Sequence, residues 1–327
     1  MRRLAAIALS ALALGWVASA PGAARAQDYP SRPIKLILPQ PPGGAVDLIA
    51  RTLSERLAEQ MKQPVIVENK PGANGGLAAG DVARSVPDGY TLLVAVDTNL
   101  AVNPTLYPSL SYDPFRDFAP ISVLTKIALV LVANPKVPAS NVRELIAYAK
   151  ANPGKLNYAS IGLGTQQHLG MELFKLMTKT DINQVEYRGT APAMIDVVAG
   201  QVEIMITGPP SAKGMSEGGK LKLLAVTGKE RSALMPDVPT VNESGVPGYE
   251  VTGWFGILAP AQTPKPVLDR LTGEVRKAAA DPRFRDRMAA QGLDVVGSTP
   301  EDMLALMRSD TKKWADVILA TGAKIQQ

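Results

Sequence analysis

A proline- and glycine-rich loop near the start of the chain is the first place where the residue types suggest chemistry. Residues 34–38 are mostly apolar and include β-branched side chains, which is typical of a buried strand. Prolines and glycines at 39–44 end that strand, and residues 46–61 place apolar side chains at a helical period. Because the first N–H groups of a helix lack intrahelical partners and carry the positive end of its dipole, this loop predicts an anion-binding site.

The residue types of this first loop favour holding an anion over reacting with it. Residues 39–44 include no side chain that could act as a nucleophile or a metal ligand. A carboxylate or a phosphate is therefore the expected ligand group. The candidate ligand-binding residues of the first loop are Gln40, Pro42, Gly43, Gly44, Ala45 and Asp47.

The same order of strand, loop and helix recurs at residues 156–177, which we call the second loop region. A short strand leads into Gly162 and Gly164, and Thr165 is a suitable N-cap for the following helix. Two helix N-termini that face each other would suit a molecule with a carboxylate at each end. Each loop alone could equally be a tight connection with capping residues. The candidate residues of the second loop are Ser160, Gly164, Thr165, Gln166 and His168.

Two further predicted strand ends carry polar side chains. Arg188 follows a strand at 184–187, where its guanidinium could grip a carboxylate with two hydrogen bonds or form a salt bridge between loops. Thr207 follows a strand at 202–206. Open α/β sheets bind ligands at the carboxyl ends of their strands, so both residues join the candidate site.

Enzymatic chemistry finds little support in the sequence. His168 is the single histidine, and we expect no GxSxG nucleophile elbow to accompany it. The chain has no cysteine, which removes thiol catalysis, Cys/His zinc sites and haem attachment. Residues 162–167 match half of a dinucleotide fingerprint, and no phosphate-binding GxxxxGK[ST] loop occurs. We therefore expect no catalytic residue, no metal and no cofactor.

The first 26 residues have the three parts of a secretory signal peptide. A basic start is followed by an apolar stretch from Leu4 to Ala20 and by an Ala-x-Ala site, which predicts cleavage before Gln27 and a periplasmic protein. The alternative is a membrane anchor, for which the apolar stretch is short. Removing these residues takes away three arginines and no acid, so the formal net charge falls from +5 to +2. The remaining charges are interspersed, which argues against nucleic-acid binding.

The chain alternates predicted strands and helices, which indicates an α/β fold with mostly parallel sheets. Two proline-rich zones, 104–138 and 236–266, bracket a middle block with its own series of strands and helices. This pattern predicts two lobes joined by two crossover segments, with a ligand cleft between them. The expected division is residues 27–124 with 253–327 in lobe 1, and residues 125–252 in lobe 2.

Ordered matches over nearly the whole mature chain carry a family resemblance. The sequence resembles Bug-type periplasmic solute-binding receptors, which serve tripartite tricarboxylate transporters of bacteria. The matching segments are YPSRPIKLILPQPPGGAVD at 29–47, VENKPGANGGLAAGDVARSVPDGYTLL at 67–93, NPTLYPSLSYDPFRDFAPIS at 103–122, YASIGLGTQQHLGMELF at 158–174, YRGTAPAMIDVVAGQVEIM at 187–205, KLKLLAVTGKERSALMPDVPTVNESGVPGYE at 220–250 and WFGILAPAQTP at 254–264.

The resemblance implies a two-lobed binding-protein fold of the type II-like kind and a function in transport. It implies that the two lobes close on a small organic carboxylate, a di- or tricarboxylate or an aromatic acid, and deliver it to membrane permease subunits. We expect a monomer without enzymatic activity. Two alternatives remain open: the same fold could report carboxylate occupancy to a membrane kinase, or the chain could be an exported hydrolase.

Two positions depart from the pattern of the resembled family. An acidic or amide pair is common after the strand that ends at Ile206, but here Thr207 and Gly208 follow. The missing acid argues against an amino-acid ligand, because a carboxylate there could bind the ligand's amine. Gln40 stands where an aromatic or small apolar residue is commoner, and it adds a hydrogen-bond donor.

Overall fold

The computed structural model describes residues 29–323 and contains two β-sheets with helices packed around them. The predicted signal peptide, residues 1–26, lies outside the described residues. In chain order the strands are β1 (Ile34–Leu38), β2 (Val65–Asn69), β3 (Thr91–Val96), β4 (Phe118–Ala128), β5 (Val130–Ala133), β6 (Asn157–Ser160), β7 (Asn183–Glu186), β8 (Ile204–Thr207), β9 (Lys222–Val226), β10 (Thr252–Pro260) and β11 (Asp294–Val295).

Ten α-helices connect or flank these strands in the part of the chain that the structure describes. A 3₁₀ turn at Ala73–Gly75 and a π-helical turn at Thr98–Val102 precede the second and third of them. The helices are α1 (Ala45–Met61), α2 (Gly76–Ala83), α3 (Asn103–Leu106), α4 (Val142–Ala151), α5 (Gln166–Thr178), α6 (Thr190–Ala199), α7 (Pro209–Glu217), α8 (Lys265–Ala280), α9 (Pro282–Ala289) and α10 (Pro300–Thr321).

Each lobe is organised around one sheet. The sheet of lobe 1 has the strand order β11-β4-β10-β3-β1-β2, and the sheet of lobe 2 has the order β7-β6-β8-β5-β9. The chain passes from lobe 1 to lobe 2 between β4 and β5 and returns between β9 and β10. The two-lobed α/β prediction is thus confirmed. The predicted boundaries at 124/125 and 252/253 fall within β4 and β10, and the exact division stays a prediction.

The prediction of mostly parallel sheets is wrong. Strand β10 runs antiparallel to both β3 and β4, and β5 runs antiparallel to both β8 and β9. The crossing strands enter each sheet from the opposite lobe, so they reverse the direction of their neighbours. Prolines made these crossing strands difficult to recognise in the sequence. Pro120 is tolerated in β4 because it pairs with Leu258 on one side, while β11 pairs only at Thr125 and Lys126.

Apolar burial explains why α1 forms where its period predicts. Its apolar stripe is fully or almost fully buried, and it packs with one face of β1 in a continuous core that reaches into both lobes. The opposite face of β1 presents Ile37 to a second cluster under α2 and α10. A strand that is buried on both faces is expected to be almost wholly apolar. The buried stripe of α1 consists of Val46, Ile49, Ala50, Leu53, Leu57 and Met61.

Leu53→Ala should show how much this core contributes. Leu53 is 0% exposed, so its truncation removes buried methyl groups and leaves a cavity, with an expected loss of about 2–5 kcal/mol of unfolding free energy. Leu319→Ala is the matched control, because that leucine is 62% exposed. Urea unfolding followed by circular dichroism measures both variants. Equal stability of the two would contradict the burial described here.

Candidate functional site

The strand pairings place the predicted loops at defined edges of the two sheets. In lobe 1, β1 pairs in parallel with both β2 and β3, so the loops that follow these three strands lie side by side. In lobe 2, β6 pairs in parallel with β7 and β8, which groups the starts of α5, α6 and α7. Neighbouring strands are about 4.8 Å apart, so residues from adjacent strand ends are close enough to share one ligand.

The first loop presents an uncapped helix N-terminus. Gly44 is the N-cap of α1 in an extended conformation (φ −85°, ψ 177°), and no side chain caps the helix. The first backbone bond of the helix runs from Leu48 N to Gly44 O (3.1 Å). The N–H groups of Ala45 and Val46 precede that bond and point out of the helix end. Gln40, Pro42, Gly43 and Gly44 are exposed, and Ala45 is half-buried.

Asp47 supports the first loop from within. Its carboxylate accepts hydrogen bonds from Gly43 N (3.1 Å), Arg51 Nε (2.9 Å) and Asn69 Nδ2 (3.1 Å). The bond from Arg51, with those from Gly43 and Asn69, holds the pKa of Asp47 below its ordinary value. Asn69 Nδ2 also lies 2.9 Å from Gln40 O. The oxygens of Asp47 are thus engaged by the protein itself, and Asn69 is a loop-positioning residue that the sequence reasoning missed.

A neighbouring loop of lobe 1 is held in a conformation that few residues adopt. Ala73 and Asn74 both have φ of 48°, in the left-handed region. Asn99 Nδ2 and Asn103 Nδ2 both donate to Asn74 O (2.7 and 3.1 Å), and Asn74 Nδ2 donates to Asn103 Oδ1 (2.9 Å). Strained backbone fixed by side chains is a signal of a functional segment. None of these residues was among the predicted site residues.

The second loop repeats the helix N-terminus of the first loop but adds a cap. Thr165 Oγ1 accepts from His168 N (3.3 Å) and donates to Gly162 O (2.8 Å). The first backbone bond of α5 runs from Leu169 N to Thr165 O (2.9 Å), so the N–H groups of Gln166 and Gln167 precede it. Ser160 is fully buried, and its Oγ accepts from Gly162 N (3.3 Å). Ser160 and Thr165 thereby shape the loop.

His168 is a buried part of the loop's support. Its side chain is 2% exposed, and its Nδ1 accepts from Gly164 N at 3.4 Å. Burial lowers the pKa of His168, so the imidazole is neutral at neutral pH. In this arrangement His168 orients the second loop with one ring nitrogen.

The two lobes meet where the second loop contacts the end of β3. Gln166 Nε2 donates to Asp97 Oδ2 across the lobe junction (2.9 Å). Gly164 has φ of 77°, and a Cβ there would overlap with Leu106 of lobe 1. Because β3 is the direct neighbour of β1, the second loop lies at the same edge of the lobe 1 sheet as the first loop. The structure thus brings Gly164 and Gln166 to the side of lobe 1 that carries Gly43 and Gly44.

Arg188 and Thr207 lie at strand ends on either side of β6. Thr207 is 0% exposed, and its hydroxyl has no hydrogen-bond partner among the described residues. Arg188 is exposed, and the salt bridge considered for it is not formed with any residue of the described range 29–323. Tyr187 N bonds to Ser160 O (2.8 Å), which ties the start of the Arg188 loop to the second loop.

Residues 214–218 read Gly-Met-Ser-Glu-Gly and do match the letters GxSxG, contrary to the expectation that no such motif exists. A nucleophile elbow requires a sharp turn between a strand and a helix. Ser216 instead lies in the last turn of α7, so the match does not form an elbow.

Two other features are absent from residues 29–323. Within that range no cluster of three or more histidine, cysteine or acidic residues has metal-binding geometry. The same range contains no helix with the length and apolar character needed to cross a membrane.

Known proteins match this chain over most of its length. The family model for the tripartite tricarboxylate transporter family receptor matches residues 49–323. Protein BugT of Bordetella pertussis is 37% identical over 302 residues, covering 92% of this chain and 93% of that protein.

Two solved structures with bound carboxylates are similar over most of the chain. One is R. palustris Rpa4515 with adipate, with a TM-score of 0.81 and 33% identity, covering 91% of this chain and all of that one. The other is MatC from Rhodopseudomonas palustris with bound malate, with a TM-score of 0.76 and 32% identity, covering 89% of this chain and all of that one.

Asp47→Asn should weaken the first loop in a pH-dependent way. A carboxyl whose folded pKa is depressed contributes stability above its unfolded pKa and loses it as pH falls through the folded pKa. We expect the variant to lose about 1–3 kcal/mol at pH 7, because a charged hydrogen-bond acceptor is removed. The difference from wild type should persist at pH 5 and narrow only below about pH 4. Urea unfolding at pH 7, 5 and 3.5 measures it; a constant difference at all three would contradict the bonding described for Asp47.

Proposed function

Because the chain belongs to the tripartite tricarboxylate transporter receptor family, which matches residues 49–323, we propose that it captures a small organic carboxylate between its lobes and delivers it to a membrane permease. The observation that supports this proposal is that two helix N-termini lie at one edge of the lobe 1 sheet. Helix α1 begins at the loop after β1, and the loop before α5 contacts the end of the neighbouring strand β3. Each helix leaves its first N–H groups outside the helical hydrogen bonds.

The free N–H groups bind the ligand's carboxylates. Ala45 and Val46 donate from lobe 1, and Gln166 and Gln167 donate from lobe 2. Hydrogen bonds to an ionised carboxylate are about twice as strong as neutral ones, and the helix dipoles add to them. Gln40, Pro42, Gly43 and Gly44 form the wall of the first loop. Gly164 allows the second loop to approach lobe 1.

The remaining candidate residues divide into positioning and contact roles. Asp47, Ser160, Thr165 and His168 hold the loops in shape through bonds to Gly43, Gly162 and Gly164. Arg188 and Thr207 contact the far end of the ligand. The unpartnered hydroxyl of Thr207 and the unpaired guanidinium of Arg188 within the described range support this division.

A di- or tricarboxylate or an aromatic acid is the proposed ligand class. The relatives with adipate and malate bind linear dicarboxylates. The strand end at Ile206-Thr207-Gly208 carries no acid that could receive a ligand amine, which disfavours amino acids. Closure of the lobes on the ligand excludes water from the site. A ligand that binds the closed state better shifts the population toward that state. The permease then recognises the closed state.

The proposed cellular setting is the periplasm. The signal peptide at residues 1–26 directs export, and cleavage near Ala26 releases the mature protein. It acts there as a monomer that carries ligand to the permease subunits, without a cofactor and without a catalytic step.

A thermal-shift screen of the leaderless protein tests the ligand class. Mono-, di- and tricarboxylates, aromatic acids and amino acids, with adipate and malate among them, form the panel. A ligand at about 100 times its Kd adds about 2.7 kcal/mol of stability by mass action, so a true ligand raises Tm by several degrees. Absence of any shift across the panel would contradict carboxylate capture.

Gly44→Val should abolish this ligand-induced shift and leave the empty protein folded. The backbone of Gly44 is extended (φ −85°), and an added Cβ would make only an ordinary contact with Gln40 Oε1 at 3.5 Å. A branched side chain at that position covers the free N–H groups of α1. Gly273→Val is the matched control, since that glycine is exposed on α8 with open space around it. Ligand stabilisation retained in Gly44→Val would remove the first loop from the site.

A further inference from the structure

A buried carboxyl group lies at the junction of the two lobes, next to the second loop of the proposed ligand site. Asp97 directly follows β3 and is 1% exposed. Its Oδ1 accepts from Thr98 N (2.8 Å), and its Oδ2 accepts from Gln166 Nε2 (2.9 Å). The second bond joins side chains from different lobes. Asp97 is thus a buried lobe 1 residue that is hydrogen-bonded to lobe 2.

The side chain of Gln166 packs closely against a strand that crosses between the lobes. Gly253 lies near the start of β10, and a Cβ at this position would overlap with the amide of Gln166. In the sheet Gly253 pairs with Ile127 of β4, the other crossing strand. The Asp97–Gln166 hydrogen bond therefore lies beside both segments about which the lobes can rotate.

The charged groups that act on Asp97 are on α10. Burial has the largest effect on the pKa of Asp97 and raises it, while the hydrogen bond from Gln166 lowers it. Asp310 raises the pKa further and Lys313 lowers it, and the pKa of Asp97 in this environment is about 7. Asp310 is itself buried, and its Oδ2 accepts from Trp254 Nε1 (2.8 Å). Lys313 donates to Glu250 O (2.6 Å). The charge of Glu250 raises the pKa of Asp310, and the charge of Lys126 lowers it. Strand β10 and α5 contribute only the neutral groups Gly253, Trp254 and Gln166 to this site.

We propose that Asp97 and Gln166 form a latch that fastens the N-terminal end of α5 to lobe 1, and that Asp97 takes up a proton when the latch closes. Gln166 is the first residue of α5, so the latch also fixes the position of the helix end that donates to the ligand. Asp97 acts through Gln166 and is a positioning residue. This inference goes beyond ligand capture, and its test uses no ligand.

The direction of the pH effect follows from the burial of Asp97. With the latch formed, burial raises its pKa to about 7, whereas an opening that admits water to Asp97 moves the pKa back toward the ordinary value of 3.8. The closed state therefore binds the proton more tightly. Acidification from pH 8 to about 5 favours closure, and the closed-to-open ratio changes up to about tenfold per pH unit between those limits.

The absence of cysteine makes a direct distance measurement possible. Dyes on Val86→Cys in lobe 1 and Ile195→Cys in lobe 2, both highly exposed, report the separation of the lobes by energy transfer. The ligand-free protein should change from a mixture of distances at pH 8 to the closed distance at pH 5. Asp97→Asn, which mimics the protonated carboxyl and can pair with a rotated Gln166 amide, should stay closed at every pH.

Gln166→Leu tests the same hydrogen bond from the other lobe, and it remains informative if Asp97→Asn fails to fold. It should shift the distance toward the open state at every pH, most at pH 8 where Asp97 is ionised without its donor. Gln201→Leu, an exposed glutamine of lobe 2, should behave like the parent protein. The latch is overturned if Gln166→Leu has the parent's distances, or if the pH response survives in Asp97→Asn.

Discussion

Peptide N–H groups at the start of a helix need an acceptor, and this constraint organises the whole protein. Two helices, α1 and α5, begin beside the same edge of the lobe 1 sheet with their first N–H groups outside any intrahelical bond. Three features of the surrounding structure keep those N–H groups available. Glycines keep the loops free of bulk, Asp47 and His168 brace the loops through bonds to Gly43 and Gly164, and the cores under α1 and α5 fix the helix axes. In the proposed function, a carboxylate of the ligand is the acceptor that completes the arrangement.

The sequence predicted the parts of this arrangement that depend on local patterns. The apolar period of α1 and the glycines that precede it were sufficient to locate the first loop, and Thr165 was correctly read as the N-cap of α5. The helix predicted from the period of residues 46–61 is observed as Ala45–Met61. These features depend on the backbone and its nearest neighbours in the chain, so a sequence reading can reach them.

The features that sequence reasoning missed depend on contacts between distant segments. Strand β4 contains Pro120 and lies in a proline-rich zone, and only its pairing with β10 makes an extended conformation there favourable. Asn69 lies 22 positions from Asp47, and Asp97 lies 69 positions from Gln166, with no pattern in either stretch that joins them. The GxSxG match at 214–218 lies in and just after helix α7 and not at a turn between a strand and a helix, so it does not form a nucleophile elbow.

In the proposed function, the starts of α1 and α5 together hold the ligand. Amide NMR spectra of the ¹⁵N-labelled leaderless protein test it most directly, with titration of the panel compound that stabilises the protein most. The amide signals of Ala45, Val46, Gln166 and Gln167 should shift together at one ligand stoichiometry, because an accepted hydrogen bond changes the N–H environment. Shifts confined to the opposite edge of lobe 2, around Lys136, Lys155 and Glu203, would place the ligand elsewhere and contradict the account.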